Sequence, residues 1–137
     1  MAICFDGDFP ALVRQVGQAD ADILLLPTSE WKSIAPVHAD MAVFRAVENG
    51  VSVVRPARRG YSSVIDPYGE VIGFDLDAFV GEDPTVIAEV PTEGRDTLYA
   101  SVGDVVPRGS LLALLALGSL AATRAIGDRR RGRLEMR

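Results

Sequence analysis

Cys4 is the only cysteine in the chain, and it closes a short apolar run, Ala2-Ile3. The run breaks in Asp6-Gly7-Asp8, and Pro10 then opens a pattern with helical spacing. A strand that turns tightly into a helix presents its last side chain at a sheet edge, with backbone N–H groups from the turn pointing at the same spot. This arrangement suits a thiol nucleophile, because donors stand ready for the oxyanion that its attack on a carbonyl creates. Beside aliphatic and aromatic neighbours, a lone cysteine also reads as a small buried hydrophobe. Further polar candidates follow within one helix length. Trp31 is either a pocket wall or a packing anchor, and Lys32 either a catalytic cation or a solvated loop residue. His38, the only histidine, is either a general base or a capping and packing residue.

The elements that must place these groups follow from the apolar pattern. Pro10 to Gln18 has apolar residues at 12, 13 and 16, a helical spacing with proline in the first turn. Ile23-Leu24-Leu25-Leu26, ended by Pro27, reads as a strand buried on both faces. Thr28 to Val37 is a polar loop, where binding groups are commonly carried. His38 to Asn49 is the clearest helix, with Met41, Ala42, Val43, Phe44 and Val47 as its apolar face and Asn49-Gly50 as its stop. Arg45 and Glu48 are spaced to pair on its surface. Val51 to Arg55 is a strand, Pro56 to Tyr61 a loop, and Ser62 to Ile65 a further strand. That strand turns through Asp66-Pro67-Tyr68-Gly69 into Glu70 to Phe74. Arg58 and Arg59 are an anion site or a solvated pair. Asp75 to Pro84 reads as an acidic loop, and Thr85 to Val90 as a last strand.

With 137 residues and 48% hydrophobic content, the chain has enough apolar side chains for one core. One cysteine rules out an internal disulfide, no Cys/His cluster suggests zinc, and no cofactor is expected. Residues 1–107 carry net charge −10, which argues against nucleic acid as a partner. Residues 108–137 carry net charge +5, concentrated in Arg129-Arg130-Arg131-Gly132-Arg133. This cluster follows Leu111 to Ala122, a stretch apolar all round rather than striped. An apolar run flanked by arginines and followed by a basic cluster predicts a membrane-anchored helix with its basic end in the cytoplasm. The other reading is a buried helix of a soluble oligomer. The expected divisions are 1–95 for the catalytic part, 96–108 for a connector, 109–126 for the apolar helix and 127–137 for a basic tail.

Several short motifs, taken in order, resemble the carbon–nitrogen hydrolase (nitrilase) superfamily. They are Ile3-Cys4-Phe5-Asp6 with Phe9-Pro10, then Arg45-Ala46-Val47-Glu48-Asn49-Gly50, then Ser63-Val64-Ile65-Asp66-Pro67-Tyr68-Gly69. The tail segment Asp96 to Asp104, followed by an apolar helix, is similar to the end of the apolipoprotein N-acyltransferase branch. The resemblance implies an α/β fold: the C-terminal half of an α-β-β-α sandwich, followed by a transmembrane helix. It also implies acyl transfer through a thioester on Cys4, from a phospholipid donor to a lipoprotein N-terminal amine, with a glutamate base and a lysine supporting the oxyanion.

Phe5, Asp6, Trp31 and His38 are the candidate substrate and oxyanion residues around the thiol. Neither Glu30 nor Lys32 matches the family's base or cation. Those groups belong to the half of the domain that precedes this strand, so the resemblance implies a C-terminal part that is inactive alone, with a partner chain as one source of the first half. It further implies a bacterial cell membrane, with the catalytic part on the outer side. The alternatives are a soluble amidase or nitrilase-type hydrolase and a non-catalytic subunit.

Overall fold

The chain begins in extended form alongside its own first strand. In this computed structural model, which describes residues 1–75 and 85–135, the Ala2 N–H donates to the Leu25 carbonyl at 3.2 Å. The Cys4 N–H donates to the Pro27 carbonyl at 2.8 Å. The expected strand-to-helix turn is a 3-10 turn, Cys4–Asp8, closed by Asp6 Oδ2 accepting from the Ile3 N–H at 2.9 Å. Helix α1, Pro10–Gln18, starts two residues later with proline in its first turn, as the sequence predicts. Its buried contact is Val13, with Val16 packed against the same core, whereas Leu12 is left largely in solvent.

Strand β1 is Ile23–Leu25, and β2, Thr28–Ser29, follows after Pro27. Helix α2, Ala35–Asn49, crosses to β3, Ser52–Arg55, and β4, Ala57–Arg58, follows after Pro56. β1 pairs in parallel with β3, and β2 with β4. Because proline has no N–H, the two ladders are separated at Pro27 and Pro56. Thr28 N–H to the Pro56 carbonyl at 2.9 Å carries the pairing onward. Two stretches expected as loops, 28–37 and 56–61, therefore contribute a short parallel pair that prolongs the sheet. β5, Ser63–Ile65, and β6, Val71–Phe74, form the expected hairpin around Asp66, and the main sheet has the order β1-β3-β5-β6.

The core lies between this sheet and the helices α1 and α2. Leu24, Val53 and Ile65 meet Val13, Ala42 and Ala46 there. The two-faced burial expected of Ile23 to Leu26 is not found: Leu24 is fully buried, but Leu25 is 48% exposed on the opposite face. That face is covered in part by the segment after residue 85. Val86 and Ala88 lie over Gly73, and the Ser52 hydroxyl donates to the Pro91 carbonyl at 2.8 Å. Thr85 to Val90 accordingly forms no strand, since it crosses over the hairpin instead of extending its ladder. The buried stripe of α2 also differs from expectation. Ala42, Arg45, Ala46 and Asn49 face inward, while Phe44 and Val47 are exposed. Small side chains on that stripe let the helix lie close to the sheet. Arg45 and Glu48 pair as expected, at 2.7 Å. Residues 76–84 of the predicted acidic loop lie outside the described residues.

Gly50 ends α2 in the left-handed region, at φ 66°. A Cβ there would collide with the Arg95 carbonyl, because the Arg95 N–H donates to Gly50 O at 2.7 Å and brings the two backbones together. A further segment closes on this corner. Thr97 caps α3, Leu98–Val102, by accepting from the Ala100 N–H at 3.0 Å, and its hydroxyl donates to Glu48 O at 2.5 Å. From α1, the Arg14 guanidinium donates to the carbonyls of Tyr99, Ala100 and Ser101. These carbonyls lie near the C-terminal end of α3, where unpaired acceptors and the helix dipole favour a cation.

Residues 1–103 and 104–137 form two separate units. The second consists of helix α4, Val105–Glu135. Its stretch Val105–Arg124 is long and apolar enough to cross a membrane by length and composition, and none of it is buried. The helix starts at Val105, so it gains a turn over the uncharged run between Arg108 and Arg124.

Two outcomes follow for the full chain. Gly50→Ala should lower unfolding stability by about 1–2 kcal/mol or more, read from the urea midpoint, since a side chain at this φ is strained in any surroundings. Arg14→Ala removes charge-assisted bonds of the kind worth about 1.5–3 kcal/mol, and should accelerate amide hydrogen exchange in residues 99–103 ahead of the rest of residues 1–103.

Candidate active site around Cys4

Cys4 is the first residue of the 3-10 turn and adopts φ 51°, a left-handed conformation that costs a non-glycine residue about 1–2 kcal/mol. The extended segment before it and the turn after it over-determine this geometry. The sulfur is partly exposed, and its S–H faces the Ser29 carbonyl at the end of β2, with Sγ···O 3.6 Å. The thiol is thus presented at a sheet margin and not sealed inside.

The convergence of backbone donors is narrower than the sequence implies. The Cys4 N–H is committed to Pro27 O and the Asp6 N–H to Ile3 O. Neither of these two N–H groups is therefore left over for an oxyanion beside Cys4. The Phe5 ring is exposed and packs edge to face on Phe9, with centroids 5.3 Å apart. Asp6 closes the turn by accepting from Ile3, so its carboxylate acts on the backbone of the turn. Trp31 is 64% exposed and does not line the hollow beside Cys4. Lys32 is exposed on the same loop.

His38 is brought to the site, but not as a helix cap: it lies in the second turn of α2. Its Nε2 is 3.2 Å from Asp8 Oδ2, and its Nδ1 is 3.0 Å from Glu30 Oε1. Glu30 Oε1 also accepts from Arg55 Nη2, and Arg55 Nη1 donates to the Tyr61 carbonyl at 2.6 Å. Glu30 and Arg55 are both buried, with side chains about 1% exposed. Removing one partner of such a pair leaves an uncompensated charge in low dielectric. The other Glu30 oxygen faces Gly60, where a Cβ would come within 2.6 Å of it. Sequence reading passed over Asp8 and Arg55. Asp8 looks like turn punctuation, and Arg55 looks like the charged end of an apolar strand. Their partners lie 30 and 25 residues away, so no local spacing signals them.

Cys4, Asp8, Thr28, Glu30, His38 and Arg55 together line a hollow of only about 10 Å³. It holds about one water and no substrate. The open side of Cys4 is thus its solvent side. A larger polar hollow of about 410 Å³, walled by Asp20, Asp22 and Asn49, shares no residue with it.

Residues 1–102 match the carbon-nitrogen hydrolase family. The chain is 37% identical over 118 residues to apolipoprotein N-acyltransferase 2 of Treponema denticola, covering 82% of this chain and 22% of that protein. It spans about a fifth to a quarter of the length of such curated relatives. An amidase from Nesterenkonia sp. shares the fold with a TM-score of 0.57 at 22% identity, over 80% of this chain and 41% of the amidase. A mutant of the amidase from Nesterenkonia sp. AN1 shows covalent addition of the acetamide moiety of fluoroacetamide at its active-site cysteine. It is 28% identical with a TM-score of 0.50, over 53% of this chain and 31% of that one. The fold around a strained, partly exposed Cys4 and the family match over most of the sequence agree, and the chain belongs to the carbon-nitrogen hydrolase family.

Proposed function

We propose that this chain carries the nucleophile of an acyl-transfer site of the apolipoprotein N-acyltransferase kind. The observation behind this reading is the presentation of Cys4, strained at φ 51° and partly open to solvent, in a chain whose curated relatives are such enzymes. In the first half-reaction the Cys4 thiolate attacks the ester carbonyl of a phospholipid. The sulfur–carbon bond forms, the carbon–oxygen bond breaks, and the lysophospholipid leaves as its alcohol after taking up a proton. In the second, the N-terminal amine of a lipoprotein attacks the thioester. The amide forms, the amine loses a proton, and the thiolate is released. The exposed Phe5–Phe9 pair offers apolar surface to an acyl chain.

The acidic groups around Cys4 are already engaged. Asp6 holds Ile3, Asp8 holds His38, and Glu30 holds His38 and Arg55. A thiol without a base is only a few per cent thiolate at neutral pH, roughly. In this reading the general base and the oxyanion cation come from outside these 137 residues, in a longer protein or a partner chain, and the chain by itself is nearly inactive. Incubated alone with phospholipid vesicles, it should show no acyl mass increase on Cys4 by mass spectrometry. A stable thioester would overturn the dependence on an outside base.

Helix α4 supports a membrane location, with the cluster Arg129 to Arg133 on the cytoplasmic side and the catalytic part on the outer side of a bacterial cell membrane. The second reading, a soluble amidase-type hydrolase, is favoured by the likeness to the mutant amidase that shows the cysteine adduct. Membrane fractionation separates the two. The chain should stay in the membrane pellet through high-salt and alkaline washes, and its release into the supernatant would favour the soluble hydrolase.

A further inference from the structure

We infer that His38 is a positioning residue for Cys4, acting as the polar tie that fixes the turn carrying the thiol to the sheet that faces it. The inference rests on Cys4 being the nucleophile and goes beyond it by assigning how the sulfur is aimed. The turn Cys4–Asp8 is held at its first residue by the bond from the Cys4 N–H to Pro27 O, and internally by Asp6. At its far end, Asp8 Oδ2 meets His38 Nε2. The opposite ring nitrogen meets Glu30, which is anchored on Arg55 of β3 and follows Ser29, whose carbonyl faces the sulfur. One imidazole therefore spans both walls of the site: the turn that bears Cys4, and the end of β2 against which Cys4 is oriented.

The chemistry of the ring fits this span. Imidazole carries a nitrogen on each side of its ring, and here one faces Asp8 and the other Glu30, so a single flat side chain reaches both. The side chain is only 15% exposed, so the tie is shielded from competing water. The strain at Cys4 gives the tie its importance, because a left-handed residue persists only where its surroundings over-determine it. With the far end of the turn released, the strain can relax and swing the sulfur away from its place against the Ser29 carbonyl.

The chain has a single thiol, and adducts are assigned to Cys4 by peptide mass mapping, apart from those on Lys32, His38 and the terminal amine. Two reagents are compared on the full chain at one pH. With p-nitrophenyl butyrate, the sulfur bonds to the carbonyl carbon, p-nitrophenolate leaves, and the thiol proton passes to buffer. This reaction depends on the angle of approach to a planar carbonyl carbon, and the activated ester needs no outside base or acid. With iodoacetamide, sulfur displaces iodide from a saturated carbon, which needs only an accessible thiolate. The ratio of acylation to alkylation rates thus reads alignment, apart from exposure and ionisation. His38→Ala should lower this ratio about tenfold or more, since misplacement by about 1 Å can cost about a hundredfold. Asp8→Ala should lower it similarly, and the double variant should lower it no further, because both changes cut one tie.

An unchanged ratio in His38→Ala, equal losses with both reagents, or additive losses in the double variant would overturn the assignment. Should His38→Ala fail to fold by circular dichroism, Asp8→Ala alone decides, with a lowered ratio in support and an unchanged one against. A native chain that is alkylated but never acylated would instead overturn the nucleophile reading, and the positioning role with it.

Discussion

A buried carboxylate–guanidinium pair, Glu30 with Arg55, fixes the geometry on which the Cys4 site depends. Two charges with side chains about 1% exposed are tolerated only because each meets a partner, and Glu30 and Arg55 each meet a second one. Their meeting requires the end of β3 to lie beside the residue after β2, which the parallel pairing across Pro27 and Pro56 ensures. It also requires Gly60, because any side chain there would displace the free oxygen of Glu30. The pair is thus a joint between ladders, and the histidine and aspartate that lead to the thiol turn are built outward from it.

Much of the scaffold was legible in the sequence because it is local. The helix from Pro10, the glycine stop at Gly50 and the Asp66 turn are each written in a few adjacent residues. What was not legible is long-range. Whether Leu25 is buried depends on what lies over its face of the sheet, and apolarity alone does not say. The apolar face assigned to α2 failed for a related reason. Phe44 and Val47 are apolar but turned away, while Arg45 and Asn49 are polar but inward, each with a partner that periodicity ignores. Thr85 to Val90 has a strand-like alternation, yet it packs across a hairpin instead of beside it.

The site shows the same division. Cys4 stood out because it is unique and because its neighbours spell a turn. Phe5 and Asp6 came with it, although Asp6 serves the turn's own backbone. Trp31 attracted attention by rarity and lies away from the hollow. His38 reads from the sequence as a general base or a capping or packing residue, and the carboxylates it meets come from elements 30 and 8 residues away. A histidine on a helix face carries no sign of which charges the fold will bring to its two nitrogens.

Helix α4 has a geometric consequence for the membrane reading. Thirty-one residues rise about 46 Å, whereas a bilayer hydrocarbon layer is about 30 Å thick. A rod of that length, crossing upright, overshoots the oily slab by about three turns while still coiled. In the membrane reading, that overhang would carry the cluster Arg129 to Arg133 out of the hydrocarbon, and the terminal turns would act as a depth gauge that stops the rod from sliding inward.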